Sequence, residues 1–125
     1  MNPIAKNDKT AIVSAFRKYS RLGLENKYLS PFDAYDRIRG VCKTKNEALD
    51  LLAVYDTMRL LRISRKTEVI NAVYAVYFCS LGRKPKKNEI SDRVLRHAME
   101  NYCDERTVYR QLEYARRVYK TLRSN

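Results

Sequence analysis

The residues best suited to chemistry lie in one short segment near the end of the 125-residue chain. This segment follows Asp104 and contains polar side chains that suit base edges and phosphates: Glu105, Arg106, Thr107, Tyr109 and Arg110. Arginine can donate two hydrogen bonds to O6 and N7 of guanine, and glutamate can accept one from N4 of cytosine. Threonine suits a phosphate oxygen or a thymine methyl group. These residue types favour contact with nucleic acid.

An apolar stripe in the same segment predicts which way these side chains point. The stripe has the four- and three-residue spacing of one helix face and consists of Val108, Leu112, Ala115, Tyr119 and Leu122. When such a stripe packs inward, the polar residues between its members face solvent. The segment therefore predicts a helix with a buried side and a base-reading side.

The net charge of the chain also favours a polyanionic partner. Lys and Arg total 26 against 14 Asp and Glu, which gives a formal net charge of +12. Residues 83–125 contain 12 of the Lys and Arg residues and 6 of the Asp and Glu residues. Half of the net charge therefore falls in about the last third of the chain. Because this imbalance causes self-repulsion in a compact chain, nucleic acid is the first partner to consider. A solubilising surface is the alternative interpretation.

A short basic loop is the second candidate contact. Its charged residues surround Pro85 and follow Gly82, and they are Arg83, Lys84, Lys86 and Lys87. Such a loop can hold a phosphate backbone and so raise affinity without reading sequence. Arg96 and Arg117 on the neighbouring helices extend this predicted surface. The alternative is a loop that its charges merely keep soluble and extended.

All the regular patterns along the chain predict helices, six in total. Each predicted start has a side chain whose oxygen can accept a hydrogen bond from a free backbone N–H group. These predicted N-caps are Asp8, Ser30, Thr44, Ser64, Asn88 and Asp104. Pro31 suits the first helical position, and Glu47 completes the pattern of a capping box with Thr44. The predicted fold class is therefore all-α.

The fourth helix is expected at the centre of the fold. Residues 66–81 are almost wholly apolar between Val69 and Cys79, and a helix apolar on all sides is normally buried on all sides. We predict a single domain over residues 1–125, in which residues 1–82 form a helical scaffold or interaction region. Residues 83–125 then form the basic loop and a helix-turn-helix.

The run from Asp104 to Arg110, followed by Leu112 and Ala115, resembles the recognition helix of sigma-factor region-four-like domains. Ala98 matches the small residue of the preceding helix, whereas Tyr102 and Cys103 stand where the turn usually has glycine. The basic helical frame also resembles phage and mobile-element regulators of the ArpU and RinA kind. This resemblance covers about residues 88–123 and implies sequence-specific binding of double-stranded DNA, with RNA polymerase as a further partner.

Motifs of other functional classes are absent from the sequence. We find no nucleophile elbow, phosphate-binding glycine loop or zinc-protease motif, so we predict a protein without catalytic residues or a cofactor. The three cysteines, Cys42, Cys79 and Cys103, are widely spaced and only His97 could complement them, so we expect no metal site. No apolar stretch has membrane-spanning length and the first ten residues lack a secretory pattern, so we expect no membrane contact and a cytoplasmic location.

Taken together, these features predict a DNA-binding transcription regulator of a phage or mobile element. Arg106, Thr107, Tyr109 and Arg110 are the expected base contacts, and Lys84, Lys86, Lys87 and Arg117 are the expected phosphate contacts. A homodimer would suit paired half-sites. The alternative function is a small protein-interaction module that binds and modulates a host protein through its basic face, since charge alone does not distinguish phosphate from carboxylate.

Overall fold

The computed structural model describes residues 5–26, 29–78 and 88–124. Throughout these ranges the regular structure is helical, which confirms the predicted all-α class. The six α-helices are α1 (Ala5–Arg21), α2 (Pro31–Val41), α3 (Lys45–Ile63), α4 (Thr67–Val76), α5 (Glu89–Glu100) and α6 (Glu105–Ser124). A single 3-10 turn at Leu24–Asn26 follows α1. None of the described helices has both the length and the apolar character needed to cross a membrane.

Helices α3 and α6 form the middle of the fold. α3 packs against α1, α2, α4 and α6, and α6 packs against α1, α3, α4 and α5. The ring of Phe16 from α1 lies between these layers, with ring-centroid distances of 5.5 Å to Tyr77, 6.0 Å to Phe78 and 5.7 Å to Tyr119. Helix α1 is therefore joined to α6 and to the residues that follow α4 through one aromatic cluster.

Tyrosine supplies much of the bulk of the core, as expected for a chain without tryptophan. Tyr19, Tyr55, Tyr77 and Tyr119 are all buried. Three of these hydroxyl groups reach polar partners: Tyr55 donates to the Leu29 carbonyl, Tyr77 accepts from Arg116, and Tyr119 donates to the Asp50 carboxylate. A buried phenol needs such a partner because its hydroxyl group loses water on folding.

Helix α4 differs from the predicted central helix over residues 66–81. It ends at Val76, and residues 79–81 lie outside the described ranges. Its buried residues, Val69, Ala72, Val73 and Val76, form one face, whereas Asn71 and Tyr74 are exposed. α4 packs against α3, α5 and α6 through that face. It is thus an outer helix with one buried face.

Two of the predicted N-caps ahead of α5 have the expected geometry. The Ser30 hydroxyl accepts from the Asp33 N–H at 3.2 Å, and the Thr44 hydroxyl accepts from the Glu47 N–H at 3.1 Å. The carboxylate of Glu47 accepts in return from the N–H of Lys43 at 2.8 Å, one residue before the expected position. Helices α2 and α3 therefore begin at side chains that accept a hydrogen bond from a backbone N–H of the first turn.

Two other predicted N-caps, Ser64 and Asp8, are wrong, and a third, Asn88, stands at the predicted N-cap position without the expected hydrogen bond. Ser64 is the C-cap of α3, because the chain reverses there with Arg65 in the left-handed conformation (φ 59°) and Lys66 N–H bonded to the Leu61 carbonyl. Asp8 lies inside α1, which begins at Ala5. Asn88 precedes α5 but has φ 65° and makes no side-chain capping bond.

Helices α5 and α6 are joined by a tight turn that ends α5 in a Schellman motif. The N–H of Cys103 donates to the Ala98 carbonyl at 3.0 Å, and the N–H of Tyr102 donates to the Met99 carbonyl at 3.3 Å. Tyr102 has φ 54°, the left-handed conformation that glycine adopts at least cost. The turn therefore keeps its tight form with tyrosine in the position that usually holds glycine.

Replacing Tyr102 with glycine is expected to stabilise the protein. A side chain in the left-handed conformation costs about 1–2 kcal/mol, and the Tyr102 side chain is 97% exposed, so little packing is lost. We expect Tyr102→Gly to raise the free energy of unfolding by about 1 kcal/mol, measured by urea denaturation. Met99→Gly is the control. Because Met99 lies inside α5, where glycine disfavours helix, this change should lower the free energy of unfolding. A destabilised Tyr102→Gly variant would contradict this account of the turn.

Candidate nucleic-acid interface

Helix α6 has one buried side and one exposed side, as its apolar stripe predicts. Val108, Leu112, Ala115 and Tyr119 are buried, and Leu122 is half-buried. The opposite side carries basic residues at helical spacing with one acid between them: Arg106, Arg110, Glu113, Arg117 and Lys120. Because the buried side is anchored on α1, α3, α4 and α5, the direction of the basic side is set by the fold.

Asp104 holds the start of α6. One carboxylate oxygen accepts from both the backbone N–H and the hydroxyl of Thr107, each at 2.9 Å. These hydrogen bonds lower the pKa of the Asp104 carboxyl below its ordinary value, with a smaller contribution from the charges of Arg106 and Arg110. Asp104 is therefore the N-cap of α6, as predicted. The hydroxyl group of Thr107 also takes part in this cap.

Arg106 and Arg110 lie on adjacent turns of the exposed side. Their four-residue spacing places both guanidinium groups over the same strip of helix surface. Within the described part of the chain, no ion pair or hydrogen bond engages either guanidinium group, whereas Glu113 is paired with Arg117 at 3.1 Å. In particular, neither arginine forms an ion pair with Glu105 or Glu113 of the same helix. Both side chains are available to an outside acceptor.

The other predicted contact residues are distributed around this pair. Glu105, Tyr109, Arg96 and Arg117 are exposed, with Arg96 on α5 and the rest on α6. Arg117 is 74% exposed, and its ion pair with Glu113 is a surface pair of the kind that contributes little to stability. The remaining predicted contacts lie outside the described residues, and they are Arg83, Lys84, Lys86 and Lys87.

Several basic residues of the same two helices are turned inward. Arg116 donates to the Tyr77 hydroxyl at 3.0 Å, and Arg123 donates to the Asp50 carboxylate at 2.8 Å. Arg93 donates to the Val76 carbonyl at 3.1 Å and forms an ion pair with Glu89. These arginines connect α6 and α5 to the rest of the molecule and do not belong to the basic face.

The ion pair of Arg93 belongs to a buried charged cluster that links three parts of the fold. Glu89 in the first turn of α5 lies 3.5 Å from the guanidinium group of Arg17 on α1. The side chains of Arg17, Glu89 and Arg93 are only 8%, 9% and 11% exposed. Sequence patterns gave no sign of this cluster, because Arg17 lies 72 residues before Glu89 and all three members resemble ordinary surface charges. It fixes α5, and so the turn into α6.

No metal-binding cluster is seen among the described residues. In these ranges no three potential metal ligands of the His, Cys, Asp or Glu type lie together. His97 contacts the side chain of Asn101 on α5 at 3.2 Å, and Cys42 and Cys103 are half-buried free thiols. Cys79 lies outside the described residues. The exposed arginine pair of α6 is therefore the most distinctive chemical feature of the described surface.

Comparison with known proteins adds no relative to this description. No protein-family model matches the chain, and no curated protein or solved structure is significantly similar to it. The resemblance to sigma-factor region-four-like domains therefore rests on the motif in residues 88–123 alone.

Proposed function

We propose that this protein is a sequence-specific DNA-binding regulator of transcription, of the kind found in phages and mobile elements, that reads the major groove with the first half of α6. The observation that carries this proposal is the exposed pair Arg106 and Arg110, opposite the buried Val108 and Leu112. Two guanidinium groups that meet no partner among the described residues suit an external acceptor that is anionic or rich in lone pairs.

The dimensions of the two partners support this arrangement. The major groove is about 12 Å wide, and a helix with its side chains is about 10–12 Å across. In a helix-turn-helix the second helix enters the groove by its N-terminal end, where Arg106 and Arg110 lie. Each arginine then meets base edges in the groove, where bidentate contact with guanine is the commonest specific pairing.

We assign the phosphate contacts to two other exposed arginines. The N-terminal N–H groups of α6 are partly occupied by the Asp104 carboxylate, and Glu105 adds a further negative charge, so this helix end is a poor phosphate site. Arg96 on α5 and Arg117 on α6 are both exposed. In this proposal they hold the phosphate backbone and set the position of α6 in the groove.

The proposal is tested by fluorescence anisotropy with labelled duplexes across a salt series. Two phosphate contacts, from Arg96 and Arg117, predict that the logarithm of the association constant falls with the logarithm of the salt concentration at a slope of about −1.8 or steeper. One fragment from the chain's own genomic neighbourhood should retain binding at about 0.15 M salt. Equal affinity for all duplexes would contradict the claim that binding is sequence-specific. Absence of binding even at low salt would contradict DNA binding and favour a protein partner for the basic face.

A further inference from the structure

An apolar groove lies between the end of α3 and the second half of α6. It has a volume of about 270 Å³ and is lined by Leu60, Tyr114, Arg117, Val118, Thr121 and Leu122. Leu60 and Tyr114 are 41% and 39% exposed, which is unusual for large side chains at the junction of two packed helices. Ile63 lies one turn beyond Leu60 on α3 and is also exposed. The arginine pair of α6 does not border this groove.

The shape of the groove suits a helix better than a small molecule. Tyr114, Val118 and Leu122 follow one another at four-residue spacing, so they line the groove over a length of about 12 Å at 1.5 Å per residue. A helical segment that lies in such a groove inserts apolar side chains from successive turns, at positions i, i+3 or i+4, and i+7. Two turns of a partner helix match the available length.

The charges around the groove determine what kind of helix fits. Among the described residues that line it, Arg117 is the charged one, and the ammonium group of Lys66 lies 5.4 Å from the ring centroid of Tyr114. Lys120 lines the adjoining surface depression together with Arg117. Two carboxylates are near, Glu113 paired with Arg117 and Asp56 one turn before Leu60 on α3. The surround is thus predominantly basic on a chain of net charge +12.

We propose that this groove binds an acidic amphipathic helix of a partner protein. The apolar face of that helix covers Leu60, Val118 and Leu122, and its carboxylates meet Lys66, Arg117 and Lys120. A second copy of the chain fits less well, because it would bring an equally basic rim against this one. The proposal does not depend on DNA binding, because the apolar contacts come from Leu60, Val118 and Leu122 and the arginine pair does not line the groove. Arg117 is the one residue that the groove shares with the proposed phosphate contacts.

The probe for this test is a labelled synthetic peptide of about 16 residues, long enough to form helix, with leucines on one helical face and glutamates on the other. A peptide of the same composition, with its leucines reordered onto all sides, controls for charge alone. Measured by anisotropy at about 0.15 M salt, the amphipathic peptide should bind more tightly than the reordered one. Equal binding of the two peptides would overturn the proposal.

Leu60→Gln is the decisive variant, and Leu22→Gln is its matched control. Leu22 is 40% exposed and does not line the groove, so the two changes remove similar apolar surface at different places. Leu60→Gln should weaken binding of the amphipathic peptide about tenfold, and Leu22→Gln by less than about twofold. Similar peptide affinities in the two variants would contradict the groove as the binding site.

The same two variants separate this proposal from its competitors. Leu60→Gln should leave the affinity for duplex DNA and the sedimentation behaviour unchanged, because neither the arginine pair nor a self-association surface is altered. A change from dimer to monomer in Leu60→Gln would mean that a second copy occupies the groove. Weaker DNA binding in Leu60→Gln, with Leu22→Gln unaffected, would mean that the groove belongs to the DNA interface.

Discussion

Replacing Glu89 with Gln is expected to lower the free energy of unfolding by about 3 kcal/mol, because it removes the negative charge that lies against two buried arginines. Arg17 and Arg93 both lie against Glu89, and all three side chains are nearly inaccessible to water. Removing one partner from a buried ion pair lowers the free energy of unfolding far more than removing one from a surface pair, because water does not reach the charge that remains. Urea denaturation followed by circular dichroism measures the change.

The chain contains a matched control for this substitution. Glu113 and Arg117 form the same i, i+4 pair as Glu89 and Arg93, but their side chains are 50% and 74% exposed. Glu113→Gln should therefore change the free energy of unfolding by less than about 1 kcal/mol. Similar effects of Glu89→Gln and Glu113→Gln would contradict the buried cluster.

Replacing Arg106 and Arg110 together with alanine is expected to abolish most of the affinity for the cognate DNA site. A bidentate contact between arginine and guanine discriminates by about 1–3 kcal/mol, so loss of both predicts at least a thirtyfold weaker complex, or about 2 kcal/mol. Both side chains are exposed and make no described ion pair, so the helical circular dichroism should not change. Anisotropy with specific and random duplexes measures the effect.

A double substitution on α2 controls for the loss of two charges. Arg37 and Arg39 are exposed on a helix that packs against α3, so replacing both with alanine removes the same net charge elsewhere. If α6 reads the DNA, Arg37→Ala/Arg39→Ala should weaken binding slightly and to the same extent for every sequence. Equal losses in the two double variants would show that net charge, and not α6, determines binding.

Local signals in the sequence predicted much of the fold. Ser30, Thr44 and Asp104 were identified correctly as N-caps because each bonds to an N–H group only three residues further on. Ser64 was misassigned because its role depends on how α3 ends, with Arg65 in the left-handed conformation, which a serine does not reveal. The length of α4 was overestimated for a related reason, since an apolar run does not show where helix gives way to a buried turn.

The division of arginines into structural and exposed groups was beyond sequence reasoning. Arg116 and Arg123 are inward because of Tyr77 and Asp50, which lie 39 and 73 residues away in the chain. Arg106 is exposed because no such partner faces it in the described structure. The helical spacing of Val108 and Leu112 predicted the orientation of α6, but only the packing of the other helices decides which cations meet a carboxylate.

The most direct test of the proposed function is an NMR titration of the ¹⁵N-labelled protein with a short duplex that contains the preferred site. We expect the largest amide shifts to fall within residues 104–110, with smaller shifts at Arg96 and Arg117 and none in α2. Shifts concentrated on α2, or spread evenly over all exposed basic residues, would contradict the claim that the first half of α6 enters the major groove.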